Sequence, residues 1–336
     1  MKYLITGGIG FIGSHLCEKL LKQGNDIITI DNFNNYYSPV LKEKNYKILK
    51  KTAIENSRFY LLYRGDIRDK KLVNRIFEEH QIDAVVALAA NAGVRPSIED
   101  PLYYVDVNLI GLTNILEAMR DNECKSLVFA SSSSVYGNNK KVPFSENDPV
   151  DNPISPYAAT KKAGELLCYT YHSLFKMNVA CLRYFTVYGP RQRPDLAINK
   201  FTRLMLNNEC IPMYGDGTTS RDYTYISDIV DGTVKSLNYV LTQDECIYDI
   251  FNLGGSNPIS LKELINVIGE SLGIEPKIEQ LPMQPGDVTI TYSDFSHAKE
   301  ILNYNPKIKI NTGIQKFVKW YKNEFYQLLK EKNDIL

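Results

Sequence analysis

Tyr157 and Lys161 stand four residues apart in Ser155-Pro-Tyr-Ala-Ala-Thr-Lys161, and a run of four serines, Ser131 to Ser134, lies upstream. Ala158, Ala159 and Thr160 between them tolerate a helix, on which positions i and i+4 share a face. An ammonium on that face favours tyrosinate, lowering a phenol pKa that is about 10 when unperturbed. Such a phenol can take a proton from an alcohol and later return one to a ketone. A serine hydroxyl from another segment could hold the same oxygen. A chain with 23 tyrosines produces this spacing by chance, so the surrounding elements must decide.

The amino terminus supplies one such element. Residues 2–6 read as a short buried strand running into Gly7-Gly8-Ile9-Gly10-Phe11-Ile12-Gly13. A helical pattern through Leu16, Leu20 and Leu21 stops at Gly24, and a second strand, Asp26 to Ile30, ends in Asp31. This unit has the length required for dinucleotide binding. Gly7 permits the tight turn, Gly10 lets backbone amides approach a pyrophosphate, and Gly13 lets helix and strand pack closely. Asp31, 18 residues after Gly13, is placed to accept hydrogen bonds from an adenosine ribose. Its charge would repel a 2′-phosphate, so NAD is expected over NADP.

Strand-like segments recur at 58–63, 83–88, 126–130 and 178–184, with helical segments at 70–80, around 102–120 and after Pro156. This alternation predicts a parallel sheet with helices on both faces, whose ligands lie beyond the strands' carboxyl ends. Asp66, Ala89, Ala90, Ser131 to Ser134 and the loop after Arg183 all fall at such ends. Beyond that loop the alternation loosens into helices near 197–206, 227–240, 261–272 and 311–329, with a strand at 211–214. The expected fold class is α/β: a Rossmann-type doubly wound parallel sheet with a smaller mixed α/β carboxyl-terminal part that binds substrate. Residues 1–185 would form the NAD-binding domain, with 226–254 returning to it. Residues 186–336 would mainly form the second unit, packed on the first to close a cleft.

Composition narrows the class. At roughly 150 residues per domain, a chain of 336 fits two such units. Lys+Arg and Asp+Glu both number 39, so no net field draws the chain to nucleic acid or acidic lipid. Lys42, Lys44, Lys47, Lys50 and Lys51 read as the solvated face of a short helix. Six cysteines without Cys-x-x-Cys pairs, and only four histidines, argue against a metal site or disulfide scaffold and fit a reducing cytoplasm. No apolar run approaches the ~20 residues of a membrane span, and the first apolar run breaks into glycines instead of continuing as a signal peptide.

Together, Thr6-Gly-Gly-Ile-Gly-Phe-Ile-Gly13, Asp31, Gly65-Asp66, the serines before Val135-Tyr-Gly137 and Tyr157-x-x-x-Lys161 resemble the extended short-chain dehydrogenase/reductase family. Within it the chain looks like a nucleotide-sugar 4-epimerase, and the likeness runs from Met1 to about Tyr321. Ala92-Gly-Val-Arg-Pro-Ser97, Arg183-Tyr-Phe-Thr-Val-Tyr-Gly-Pro190, Arg193-Pro-Asp195 and Met283-Gln-Pro-Gly-Asp-Val288 are most similar to UDP-glucuronate 4-epimerases.

The resemblance implies roles. Tyr157 would be the acid/base, Lys161 would tune it and hold the nicotinamide ribose, and Ser132 would bond the sugar's reacting oxygen. NAD would lie along Gly7, Gly10, Phe11, Ile12, Gly13, Asp31 and Asn32, with Asp66 and Ile67 at the adenine. Leu88, Ala89, Ala90, Tyr184 and Val187 would line it, and Asn108 would support the active-site helix. A UDP-sugar would meet Ser133, Ser134, Arg95, Thr186, Arg193 and Asn199. Arg221 would pair with its diphosphate, as guanidinium geometry suits. Asp287 would hold the uridine ribose and Thr291 would lie near carbon 2. A homodimer through the helices at 102–120 and 157–175 is also implied. Two residues depart from relatives: Ala87 replaces a frequent histidine, and Gln284 replaces a second diphosphate arginine.

On this reading Tyr157 takes the 4-hydroxyl proton as hydride passes to NAD, the 4-keto sugar turns over, and both return to the opposite face. Related dehydratases carry an Asp-Glu pair directly after the catalytic Thr/Ser, and related decarboxylases place a glutamate where Ser134 stands. With hydroxyls at 133 and 134, epimerisation alone is the simplest expectation. A 4-keto uronate loses carbon dioxide readily, so Thr186, Ser133, Ser134 and Arg193 are expected to hold its carboxylate in the ring plane. For Arg193 a surface or interdomain ion pair is the alternative. UDP-glucose or UDP-N-acetylglucosamine stays open as substrate, since Thr291 would tolerate an N-acetyl group. A non-catalytic NAD-binding protein would not need the complete set of Ser132, Tyr157 and Lys161.

Overall fold

The computed structural model describes residues 1–243, 245–283 and 288–326. The chain opens with β1 (Lys2–Thr6), α1 (Phe11–Lys22), β2 (Asp26–Asp31), α2 (Pro39–Glu55), β3 (Tyr60–Arg64), α3 (Lys70–Glu79) and β4 (Ala84–Ala87). Next come α4 (Val94–Glu99), α5 (Pro101–Val105), a π-helical turn at Asp106–Ile110, α6 (Gly111–Asp121), β5 (Ser126–Ser132), α7 (Pro156–Phe175) and β6 (Asn178–Tyr184). The remainder holds β7 (Thr186–Tyr188), α8 (Ala197–Leu206), β8 (Ile211–Tyr214), β9 (Ser220–Tyr225), α9 (Ile226–Leu241) and β10 (Tyr248–Leu253). It closes with β11 (Pro258–Ser260), α10 (Leu261–Leu272), β12 (Ile278–Leu281), α11 (Ser296–Leu302) and α12 (Ile310–Trp320).

Seven strands form one parallel sheet in the order β10-β6-β5-β4-β1-β2-β3. Successive residues point to opposite faces, so Tyr3 and Ile5 enter one core while Leu4 enters the other. Both faces are covered by helices, which is why these strands read as continuous apolar runs. A buried Leu, Ile or Val of this kind contributes about 1.5–3 kcal/mol. The chain reverses direction of travel across the sheet between β1 and β4, and at such a switch point a crevice opens beyond the carboxyl ends. The register sets Thr6 beside Ile30 and Ala87, and Ser132 beside Tyr184. The glycine turn and the serine run thus share one rim.

The rest of the chain adds a three-stranded sheet, β11-β9-β7, and a parallel pair, β12-β8. Tyr188, Ile259, Leu264 and Phe317 from this part belong to the same core as Ile5 and Val86 of the large sheet. α9 and β10 return to the large sheet, where β10 pairs with β6. Three expectations need correction. The helical stretch near 102–120 is interrupted by the π-turn, and its first part, α5, starts at Pro101, where the Asp100 side chain accepts from the Tyr103 amide. α2 runs 17 residues and Lys42 on it is buried, since its ammonium finds a carboxylate partner. α12 ends at Trp320, followed by a π-turn at Tyr321–Phe325.

Candidate active site

The rim holds a cleft of about 520 Å³. At one end Gly7 has φ +67° and its carbonyl accepts from the Gly10 amide at 3.0 Å. A side chain at Gly13 would collide with that carbonyl. No side chain caps the start of α1, so its free amides and positive dipole end face an anionic group. These residues fit the pyrophosphate of a dinucleotide.

The cleft also holds Asp31 and Asp66, the carboxylates expected to meet an adenosine. Asp31 Oδ1 accepts from the Phe33 amide and from Lys42 Nζ, both at 2.9 Å. Both bonds fall on one oxygen, leaving Oδ2 for a ribose hydroxyl. Asp66 accepts from Asn32 Nδ2 at 2.9 Å and from Arg68 through Nε at 3.0 Å and Nη2 at 2.9 Å. Although burial pushes the Asp66 carboxyl up, these donors hold it below the usual carboxylate range. Ile67, Leu88, Ala89, Ala90, Tyr184 and Val187 also line the cleft, with Tyr184 beside Ser132.

In the middle stand the residues with which the sequence reading began. Ser155 Oγ caps α7 by accepting from the Ala158 amide at 3.1 Å, and Pro156 occupies the first helical turn. That fixed start places both Tyr157 and Lys161 in the cleft. Ser132, at the end of β5, faces the Tyr157 phenol and lowers its pKa, and its Oγ accepts from Ser134 Oγ at 2.9 Å. Lys161 Nζ donates to the Ala130 carbonyl at 2.6 Å and lies 6.0 Å from the Tyr157 ring centre. Burial pushes the Tyr157 phenol above its ordinary value; Ser132 and the Arg193 charge oppose this, and Tyr36 adds to it. The Lys161 ammonium is engaged by backbone, and its own pKa falls to about 8 through burial.

The far end carries Ser133, Ser134, Thr186, Arg193, Arg221 and Thr291. Arg193 donates to Asp195 through Nε at 3.0 Å and Nη2 at 2.8 Å, and its guanidinium lies 4.9 Å from the Tyr36 ring centre. It thus makes an ion pair and still lines the cleft. Thr291 Oγ1 accepts from the Asp222 amide at 3.1 Å, and Arg221 Nη1 donates to the Ser220 carbonyl at 2.9 Å. Three expected site residues lie off the cleft wall. Asn108 Nδ2 donates to Thr160 Oγ1 on α7 at 3.0 Å and to the Asn91 carbonyl at 3.1 Å, bracing the helix from behind. Asn199 is fully buried and donates to the Gln192 carbonyl at 2.8 Å. Arg95 is exposed and stacks 5.3 Å from the Tyr214 ring centre. Asp287 and Gln284 lie outside the described residues. Sequence reasoning missed Tyr36, Tyr37 and Lys42 on the wall. For Tyr36 and Tyr37 the signal was their place in the loop beyond Asp31, at a strand's carboxyl end; Lys42, on α2, offered none.

A parallel dinucleotide-type sheet with a Ser132, Tyr157 and Lys161 constellation at its rim defines an extended short-chain dehydrogenase/reductase. Within that class the chain belongs to the GDP-mannose 4,6 dehydratase family, whose model matches residues 4–317. The UDP-glucuronate 4-epimerase of Thermodesulfobacterium geofontis (strain OPF15) is 45% identical over 329 residues, covering 98% of each chain. Among solved structures, the UDP-glucuronic acid 4-epimerase of Bacillus cereus, in complex with UDP-glucuronic acid and NAD, superposes with a TM-score of 0.88 at 36% identity. That match covers 96% of this chain and 99% of the other. The UDP-glucose 4-epimerase of Thermotoga maritima with UDP-glucose gives 0.85 at 30% identity, covering 97% of this chain and all of the other.

Proposed function

We propose that this protein is an NAD-dependent UDP-sugar 4-epimerase that interconverts UDP-glucuronate and UDP-galacturonate. The observation that carries this reading is the wall around Tyr157. Ser132 faces the phenol, and Ser133, Ser134 and Thr186 line the same cleft. The carboxylates among the described lining residues, Asp31 and Asp66, lie at the adenosine end. Elimination of water calls for an acid and a base near the sugar, and hydroxyls with high pKa values do not supply them.

When bound, NAD supplies a reversible hydride acceptor for carbon 4. The glycine turn and the α1 N-terminus would hold its pyrophosphate, Asp31 its ribose and Asp66 its adenine. Tyr157 accepts the 4-hydroxyl proton and returns it, Ser132 keeps the reacting oxygen against the phenol, and the Lys161 ammonium favours the tyrosinate. Thr186, Ser133, Ser134 and Arg193 keep the carboxylate in the ring plane, and Arg221 meets the diphosphate. Cofactor binding falls to residues 1–185 with 226–254, and sugar binding mainly to 186–336.

One observation favours a second substrate class. Thr291 is small and buried at the cleft, so an N-acetyl group at carbon 2 would find room. A homodimer fits the exposed Leu102, Leu166, Tyr169 and Leu174 on α5 and α7. The reducing cytoplasm suits six free thiols, and among the described residues no helix is long and apolar enough to cross a membrane. The reading is tested by incubating the purified protein, without added cofactor, with UDP-glucuronate, UDP-glucose and UDP-N-acetylglucosamine, then identifying products by NMR. Epimerised UDP-glucuronate supports it; a 4-keto-6-deoxy product or a pentose overturns it.

A further inference from the structure

Behind the serine run lies a pair of charges to which the mechanism gives no part. The Glu165 and Arg183 side chains are 0% and 1% exposed. Arg183 grips the carboxylate twice, Nε to Oε1 at 2.8 Å and Nη2 to Oε2 at 2.9 Å. Such a pair rarely adds net stability over apolar residues of the same size, so its other contacts are informative. Glu165 falls on α7 two turns beyond Tyr157 and one beyond Lys161, on the same helix face. Its Oε1 accepts from Ser131 Oγ at 2.7 Å, and Ser131 immediately precedes Ser132.

The other half reaches past the serines. Arg183 Nη1 donates to Tyr136 Oη at 3.0 Å, at the end of the 3-10 turn Ser133–Tyr136. Tyr136 Oη donates to Asn252 Oδ1 on β10 at 2.7 Å. Asn252 Nδ2 in turn donates to the carbonyls of Phe144 at 2.9 Å and Asp294 at 3.0 Å. The segment that meets the reacting oxygen is therefore anchored one residue before Ser132 and two residues after Ser134.

We propose that Glu165 and Arg183 are positioning residues: they clamp residues 131–136 so that Ser132 Oγ stays facing the Tyr157 phenol and Ser133 and Ser134 keep their places. The clamp rests on the epimerase reading. Five residues face the phenol: Ser132 from β5, Lys161 from α7, Tyr104 from α5, Tyr36 from the loop after β2, and Arg193, paired with Asp195, from the loop after β7. Displacing Ser132 from the phenol lets burial push the phenol further up, so the acid limb of kcat moves to higher pH.

The test uses S131A and Y136F, which each remove one hydroxyl, and E165Q, which keeps the shape of Glu165 but removes its charge. On UDP-glucuronate, kcat should fall about tenfold or more while KM changes less than about twofold. The acid limb should move to higher pH, and S131A added to S132A should cost nothing further, because the hydroxyl it positions is already gone. If S131A and Y136F keep kcat and the acid limb and lose only melting temperature, the pair is merely structural and the clamp is wrong. Should E165Q not fold, the two hydroxyl variants decide alone. An S132A variant with parental kcat would instead overturn the active-site reading itself.

Discussion

Lys161 Nζ is bonded to the Ala130 carbonyl at 2.6 Å, tying the active-site helix to the strand that ends in Ser132. The helix face that carries Tyr157 also carries this ammonium, yet the charge is anchored to backbone. Burial lowers the Lys161 pKa to about 8, so its charge is present below that pH and lost above it. The tyrosinate is favoured by rising pH. The pH profile of kcat/KM for UDP-glucuronate should therefore be bell-shaped, with its alkaline limb near 8. K161M should lower kcat by about 10²–10⁴-fold. Its melting temperature should change little, because the lost bond to Ala130 is offset by removal of a buried charge. Paired kinetics and melting curves check both statements.

His15 on α1 sets a different pH dependence, one of stability. Its Nε2 lies 2.9 Å from the Pro190 carbonyl and donates to it. Burial, then the Arg191 charge, lowers its pKa to about 4. The unfolded chain protonates this ring near 6.5 and the folded protein does not, so its contribution is complete above about 6.5 and lost as pH falls towards 4. Between about pH 7 and pH 5, H15Q should lose less melting temperature than the parent protein. Equal losses would remove His15 from the account of acid sensitivity.

The Asp31–Lys42 pair is buried, with side chains 5% and 6% exposed. Removing one partner leaves an unpaired charge at a cost of about 3–5 kcal/mol. K42M should therefore melt well below the parent and retain less NAD through purification. D31N/K42M should recover part of the stability but not the cofactor, because the ribose acceptor is gone. Denaturant titration and cofactor content after heat release would read these separately.

Thr186 and Arg193 line the cleft, and on the proposed reading they hold the sugar carboxylate. T186V should raise the share of decarboxylated product or lower turnover of the uronate selectively, with UDP-glucose handled as before. R193Q should do the same and also move the acid limb of kcat upward, since the Arg193 charge lowers the Tyr157 phenol. Product ratios by NMR, with pH profiles for R193Q, decide this. Unchanged product purity in both variants would leave the carboxylate without its holders.

Some of this was legible in the sequence because the signal is local. The glycine turn, Asp31 and the Tyr157–Lys161 spacing each lie within one strand-turn-helix unit, and the structure puts all of them on one cleft. What was not legible depends on contacts distant in the chain. Lys42 read as a solvated lysine because nothing in a helical pattern announces a partner 11 residues away across a loop. Asn199 occupies a helix whose packing turns it inward to Gln192. β7 and β11 are three residues each, too short to carry a period, and they exist because β9 pairs with both. The state of Tyr157 depends on burial, which spacing does not report.

The central claim is that carbon 4 is inverted by removal and return of the same hydrogen within one cleft. UDP-glucuronate should be converted in deuterium oxide by the protein as purified, with no cofactor added, and its ring protons followed by NMR. The expected result is UDP-galacturonate that keeps protium at carbons 4 and 5, with no net NADH. Deuterium at either carbon, or a product that has lost its carboxylate, would contradict it.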